Sequence, residues 1–195
     1  MRSKSTLEFA LAGLLRQKAQ SGYDLRKTFA TTAMRHYSDS PGSIYPALRR
    51  LEARGWIAVQ DGSRPEERDP RKRRVYILTE RGHGALVAWI ERPVTREDMI
   101  WRVQELMLRF AFMDGNVPRT EACRFLGEFE REMAGYVTEL RAKLDGMRSK
   151  FPLHTGVLAF ESGIQVMEAQ LSWAREARAR LEHAQGDPSP SANCG

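Results

Sequence analysis

Two clusters of cations carry the chemistry in this 195-residue sequence: Arg49 beside Arg50, and the unbroken run Arg71, Lys72, Arg73 and Arg74. A guanidinium is a planar fork that bonds two acceptors at once, either the paired major-groove acceptors of a guanine or two oxygens of a phosphate. Arginines on one helix face therefore suit base reading, and a compact cationic run on a loop suits a sugar-phosphate backbone. An isolated pair of helix arginines is more often an ordinary solvated face, and the second cluster is what shifts the balance toward a polyanion. That loop also carries Arg64 and Arg68, but Glu66, Glu67 and Asp69 neutralise part of its tip, so the cationic weight falls on Arg71 to Arg74. The bland alternative is a charged turn that keeps a sheet edge soluble.

The elements that must hold these groups can be read from the surrounding residues. Pro46 lacks an N–H and is tolerated only in the first turn of a helix, which places the start of a helix at Gly42 or Ser43 and its end at Gly55. At about 100° per residue, Ile44, Ala47, Leu48 and Leu51 form an apolar stripe, with Pro46, Arg49, Arg50 and Ala53 pointing away from it. Leu7, Leu11, Leu14 and Leu15 predict a first helix, and Leu25 and Phe29 a second one beginning near Gly22. The β-prone runs 56–59 and 75–78 flank the basic loop and predict a hairpin, whose tip is a wing beside the arginine helix. Thr79 is placed to cap a further helix bearing Leu86, Trp89 and Ile90, with Gly82 and Gly84 weakening it.

On the flanks of the arginine helix, Tyr45 suits either packing on a phosphate or covering the helix–strand corner, and Tyr23 has the same two roles open to it. For Ser43 capping is the safer reading over a phosphate contact. The candidate DNA-contacting set is thus Tyr23, Ser43, Tyr45, Pro46, Arg49, Arg50, Arg71, Lys72, Arg73 and Arg74.

Charge is distributed unevenly within the net +6. Residues 1–92 hold 18 Lys and Arg against 10 Asp and Glu, and the remainder hold 13 against 15, so the basic character belongs to the first part. A hydrophobic content of 42% with 29% charged residues fits a folded soluble chain rather than a disordered one. The apolar start is interrupted by Glu8 and leads to Arg16 and Lys18 without a cleavage site, so export is not expected, and no run of about 18 apolar residues is present. A reducing, cytoplasmic setting is the expectation.

Beyond residue 92 the periodicity is helical. Ile100, Val103, Met107 and Phe110 mark one helix, and Leu126, Phe129, Met133, Tyr136, Leu140 and Leu144 another. Val157, Phe160, Ile164, Met167, Leu171, Ala174 and Leu181 then follow a 3-4 heptad spacing broken only by Arg178. Such a stripe seeks another helix, and the reading assigns it to self-association, with intramolecular packing as the alternative. A two-fold dimer would set two recognition helices about one DNA turn apart, roughly 34 Å. Trp101, Met107 and Phe110 offer aromatic and soft surface for an effector, though such residues are more often plain core. The scattered His36, His83, His154 and His183 form no metal or catalytic motif, so neither enzyme chemistry nor a cofactor is expected. Cys123 offers a redox sensor as an alternative, with an inert thiol the plainer reading.

Three segments, GYDL (22–25), SPGSIYPALRRLEARGWI (40–57) and RRVYILTERG (73–82), resemble the PadR family of transcriptional regulators over about residues 7–90. The length of the helical second half resembles the longer-tailed subfamily. The resemblance implies a winged helix-turn-helix joined to a helical dimerisation domain, usually a repressor released by a small molecule or another signal. Two departures stand out: a longer wing with an acidic tip, and Trp56 where the family more often has an aliphatic residue. The expected fold is mainly α with an α+β wing. Residues 1–92 form the DNA-binding winged helix-turn-helix, 93–185 an all-helical dimerisation and effector domain, and 186–195 a disordered Pro/Ser-rich tail. The expected function is a homodimeric repressor on double-stranded DNA, set against a winged-helix module for protein assembly.

Overall fold

Helix α1 (Lys4–Gln17) buries Leu7, Leu11, Leu14 and Leu15 as its spacing predicts, and also Phe9, Ala10 and Ala12, because neighbours surround it. The Phe9 ring stacks on Trp89 at 4.5 Å and leans on Trp56 at 5.5 Å. This structure, a computed structural model, describes residues 4–32, 34, 41–60, 74–151 and 153–183. The chain divides into two compact units, Met1–Arg92 and Pro93–Gly195. Arg71, Lys72 and Arg73, the acidic wing tip and the tail from Gly186 lie outside the described residues.

In the first unit a short strand β1 (Gln20–Ser21) precedes α2 (Gly22–Thr31), whose start is fixed by a capping box. The Ser21 backbone N–H donates to Asp24 Oδ2 at 3.2 Å and the Asp24 N–H donates to Ser21 Oγ at 3.3 Å. A 3₁₀ turn (Pro41–Ser43) leads into α3 (Ile44–Ala53), which buries the predicted stripe Ile44, Ala47, Leu48 and Leu51. Gly55 follows in the left-handed region at φ 69°, the conformation that ends a helix at this position. Strands β2 (Ile57–Val59) and β3 (Val75–Leu78) pair antiparallel, and β1 adds to the far side of β3, giving the order β1-β3-β2.

Thr79 caps α4 (Glu80–Ile90), accepting the Gly82 N–H at 3.1 Å while its hydroxyl donates to the Gly55 carbonyl at 2.7 Å. Gly82 is more than a weak point in this helix. A Cβ there would lie 2.1 Å from the Trp56 carbonyl oxygen, so only glycine lets α4 approach the end of the α3–β2 turn.

The second unit opens with α5 (Arg96–Trp101) and α6 (Val103–Ala111), where the periodicity predicted one helix. The chain breaks at Arg102, at φ −135° and ψ 28°. Burial falls on Met99, Leu106, Leu108, Phe112 and Met113, whereas the expected Ile100, Val103, Met107 and Phe110 are half-buried. Spacing of apolar residues cannot register a break of one residue, because the turns on either side still present apolar groups to the same neighbours.

Two long helices, α7 (Arg119–Lys150) and α8 (Thr155–His183), then form an antiparallel hairpin. Phe125, Leu126, Phe129, Met133, Val137, Leu140 and Leu144 line the α7 side of its seam, and Val157, Ile164, Leu171 and Ala174 the α8 side. Ion pairs Arg141–Glu168 at 2.5 Å, Arg175–Glu130 at 3.0 Å and Arg148–Glu161 cross the hairpin at its surface. Four of the seven heptad residues assigned above to self-association are therefore buried within one chain. Among the described residues, no helix is long and apolar enough to cross a membrane.

Candidate nucleic-acid interface

The outward face of α3 carries one uncommitted cation. Arg49 is exposed and forms no ion pair with any described residue. Arg50, expected beside it on the same face, turns instead toward α1, where its Nε donates to Glu8 Oε1 at 2.6 Å. Arg54, at the end of the helix, donates from Nη1 to Glu8 Oε2 at 2.6 Å. The helical wheel explains the difference: at about 100° per residue Arg50 lies well off the outward centre of α3, on the flank that meets α1. The sequence reading that placed Arg49 and Arg50 together on the groove-facing side is corrected for Arg50.

At the opposite flank the Tyr45 ring closes over Gly22, where β1 gives way to α2. A Cβ on Gly22 would lie 2.7 Å from the Tyr45 ring, so a larger residue there would push the ring aside. Tyr45 is still 45% exposed, and Tyr23, next to Gly22, is 56% exposed with the Arg26 guanidinium 5.5 Å above its ring. Tyr45 thus covers the corner, one of the two roles left open by the sequence, while keeping an edge exposed to solvent. Arg26 escaped the sequence reading, and its position three residues after Tyr23 was the available signal.

Ser43 is the N-cap residue of α3, but its hydroxyl makes no capping hydrogen bond. A cap needs extended backbone, and Ser43 sits in the right-handed helical region at φ −77°, ψ −19° because a 3₁₀ turn feeds directly into α3. Pro46 is half-buried in the first turn of α3. On the wing, Arg74 is exposed immediately before β3.

In the second unit, Trp101 is 78% exposed at the end of α5, apart from the other two residues considered for an effector. Phe110 packs against Phe125 at 5.8 Å and edge-on to Trp173 at 5.5 Å. Two open grooves between α7 and α8, of about 320 and 270 Å³, are bordered by the ion pairs of Arg141 and Glu168 and include none of Trp101, Met107 or Phe110. Of the seven heptad residues, Val157, Ile164, Leu171 and Ala174 are buried against α7, and Phe160, Met167 and Leu181 are half-buried at its edges. Opposite that seam, α8 exposes Leu158 and Val166. Burial pushes the Cys123 thiol above its ordinary range, which keeps it protonated and works against a sensitive thiolate.

A unit of helices α1–α4 whose third helix offers an exposed face and is followed by the antiparallel β2–β3 pair has the build of a winged helix-turn-helix, an architecture used by DNA-binding regulators. Residues 11–88 match the Transcriptional regulator PadR-like family. The first unit thus matches a PadR-like domain over those residues, and the chain is similar there to transcriptional regulators of that family. It is 24% identical over 189 residues to the negative transcriptional regulator PadR of Bacillus subtilis (strain 168), covering 90% of this chain and 97% of that protein. Among solved structures, Bacillus subtilis PadR in complex with operator DNA is 22% identical, with 90% of this chain and 98% of that one covered and a TM-score of 0.38. The same protein in complex with p-coumaric acid gives 22%, 93%, 98% and 0.39 respectively. The PadR-like transcriptional regulator BC1756 from Bacillus cereus gives 22%, 91%, 98% and 0.38.

Proposed function

We propose that this regulator binds double-stranded DNA as a homodimer and represses transcription until a small-molecule effector releases it. The observation that carries the reading is Arg49, an exposed guanidinium without a described ion-pair partner on the outward face of α3, with Tyr23 and Tyr45 exposed at the neighbouring corner. A helix about 10–12 Å across fits a major groove about 12 Å wide, which brings Arg49 to base edges. Tyr23, Ser43, Tyr45, Pro46 and Arg74 then fall to the sugar-phosphate rim, joined by Arg71, Lys72 and Arg73 of the wing.

Self-association moves from the heptad stripe, already used inside the chain, to the outward face of α8 at Leu158 and Val166. The effector role narrows to Met107 and Phe110, both half-buried and the latter edge-on to Trp173, while the exposed Trp101 offers a ring without enclosing walls. The function proposed is regulatory, with no catalytic step and no cofactor, exercised in the cytoplasm.

A salt titration against duplex DNA tests the central claim. Engagement of about six to ten phosphates per dimer requires affinity to fall on the order of 10³ to 10⁵ between about 50 and 200 mM salt. A chain that binds no duplex at low salt refutes the DNA reading and leaves protein assembly as the role of the winged helix.

A further inference from the structure

Glu8 lies within the apolar run of α1 and is only 2% exposed, between the buried Leu7 and Phe9. A carboxylate in such surroundings is sustained only by partners that satisfy its charge and both oxygens. Arg50 and Arg54 provide them one each, at 2.6 Å from Oε1 and 2.6 Å from Oε2. Arg50 lies in the last turn of α3 and Arg54 is its C-cap, one turn further on, and their side chains are 38% and 49% exposed. The Arg54 guanidinium is held from another side by the Trp56 ring, 5.5 Å away. The result is a three-charge cluster of net +1, with its anion sealed beneath the recognition helix and its two cations at the surface next to the outward face that carries Arg49.

We propose that Glu8 is a positioning residue for DNA discrimination: it fixes Arg50 and Arg54 along one flank of α3 and cancels one of their two charges. This rests on the DNA-binding reading above. Attraction to phosphate is indifferent to sequence and grows with each cation a protein brings to the duplex, whereas base edges are read by individual side chains in the groove. Two unrestrained arginines at this flank would tighten the grip on any duplex alike. With Glu8 in place that indifferent contribution is held down, and a larger share of the binding energy passes through Arg49.

The test compares the full-length chain with Glu8→Gln, which keeps the side-chain shape and removes the charge. Binding is measured over a salt series to a random-sequence duplex and to the tightest duplex selected from a random pool. The log–log salt slope on the random duplex should steepen by about 0.9, an additional affinity loss of about 3.5-fold for a fourfold rise in salt. The ratio of selected to random affinity should fall. Adding Arg54→Gln to Glu8→Gln returns the cluster to net +1 and should restore the wild-type slope. Arg54→Gln alone leaves Glu8 paired with Arg50 and should make the slope shallower by about 0.9, which keeps the idea open to refutation if the Glu8 variant does not fold. Parallel salt slopes in every variant, with both affinities reduced by the same factor, would overturn the proposal and leave Glu8 a purely structural residue. A wild-type chain that binds no duplex refutes the underlying DNA reading instead, so the two failures are told apart.

Discussion

The Nε of Arg50 stands 2.6 Å from Oε1 of a Glu8 that is nearly sealed from water, whereas the adjacent Arg49 points into solvent without a described partner. Neighbours in sequence thus serve different ends, one holding α3 against α1 and the other available to a ligand.

Arg49→Ala should leave stability within about 0.5 kcal/mol and weaken binding to a selected duplex by roughly 1–3 kcal/mol. Arg50→Ala removes one of two partners from a buried carboxylate, and should lower the unfolding free energy by about 1–3 kcal/mol. Urea denaturation and DNA titration on both variants check the division. An unchanged urea midpoint in Arg50→Ala would show that the ion pair contributes nothing to the fold.

Gly82 and Gly84, two residues apart in α4, should respond in opposite directions to alanine. A methyl group at position 82 collides with the Trp56 backbone carbonyl, while at position 84 nothing lies within 4 Å. Gly82→Ala should therefore cost roughly 1–3 kcal/mol through forced displacement of backbone. Gly84→Ala should stabilise by about 0.5–1 kcal/mol through helix propensity. Thermal unfolding of the two variants decides the matter, and equal shifts would mean that α4 does not sit so close to Trp56.

The two faces of α8 should also separate by phenotype. Ile164→Ala opens a cavity in the α7–α8 seam and should cost about 2–5 kcal/mol of stability. Replacing Leu158 and Val166 together by Glu alters only exposed positions, and should leave the unfolding transition within about 1 kcal/mol while shifting sedimentation from dimer toward monomer. A dimer that survives this double replacement places the association surface elsewhere.

Much of the first unit was legible because its signals are local and agree with one another. Ile44, Ala47, Leu48 and Leu51 repeat with the helical period, Gly55 stops the helix, and Thr79 starts the next one, each for a reason that operates within a few residues. Misassignments arose where the deciding partner was distant in sequence. Glu8 stood out as a charge inside an apolar run, and the need for a buried carboxylate to find a cation was the clue that it would draw Arg50 away from Arg49. A 3-4 spacing states that α8 packs on a helix, and says nothing about whose helix it is. Here the turn near Phe151 brings α7 back alongside within the same chain.

The α7–α8 hairpin closes its buried seam within one chain, so self-association at the outward face of α8, as proposed above, would join subunits that are already folded. Under that proposal, separation would carry no penalty of refolding, and assembly would be a reversible equilibrium between intact halves.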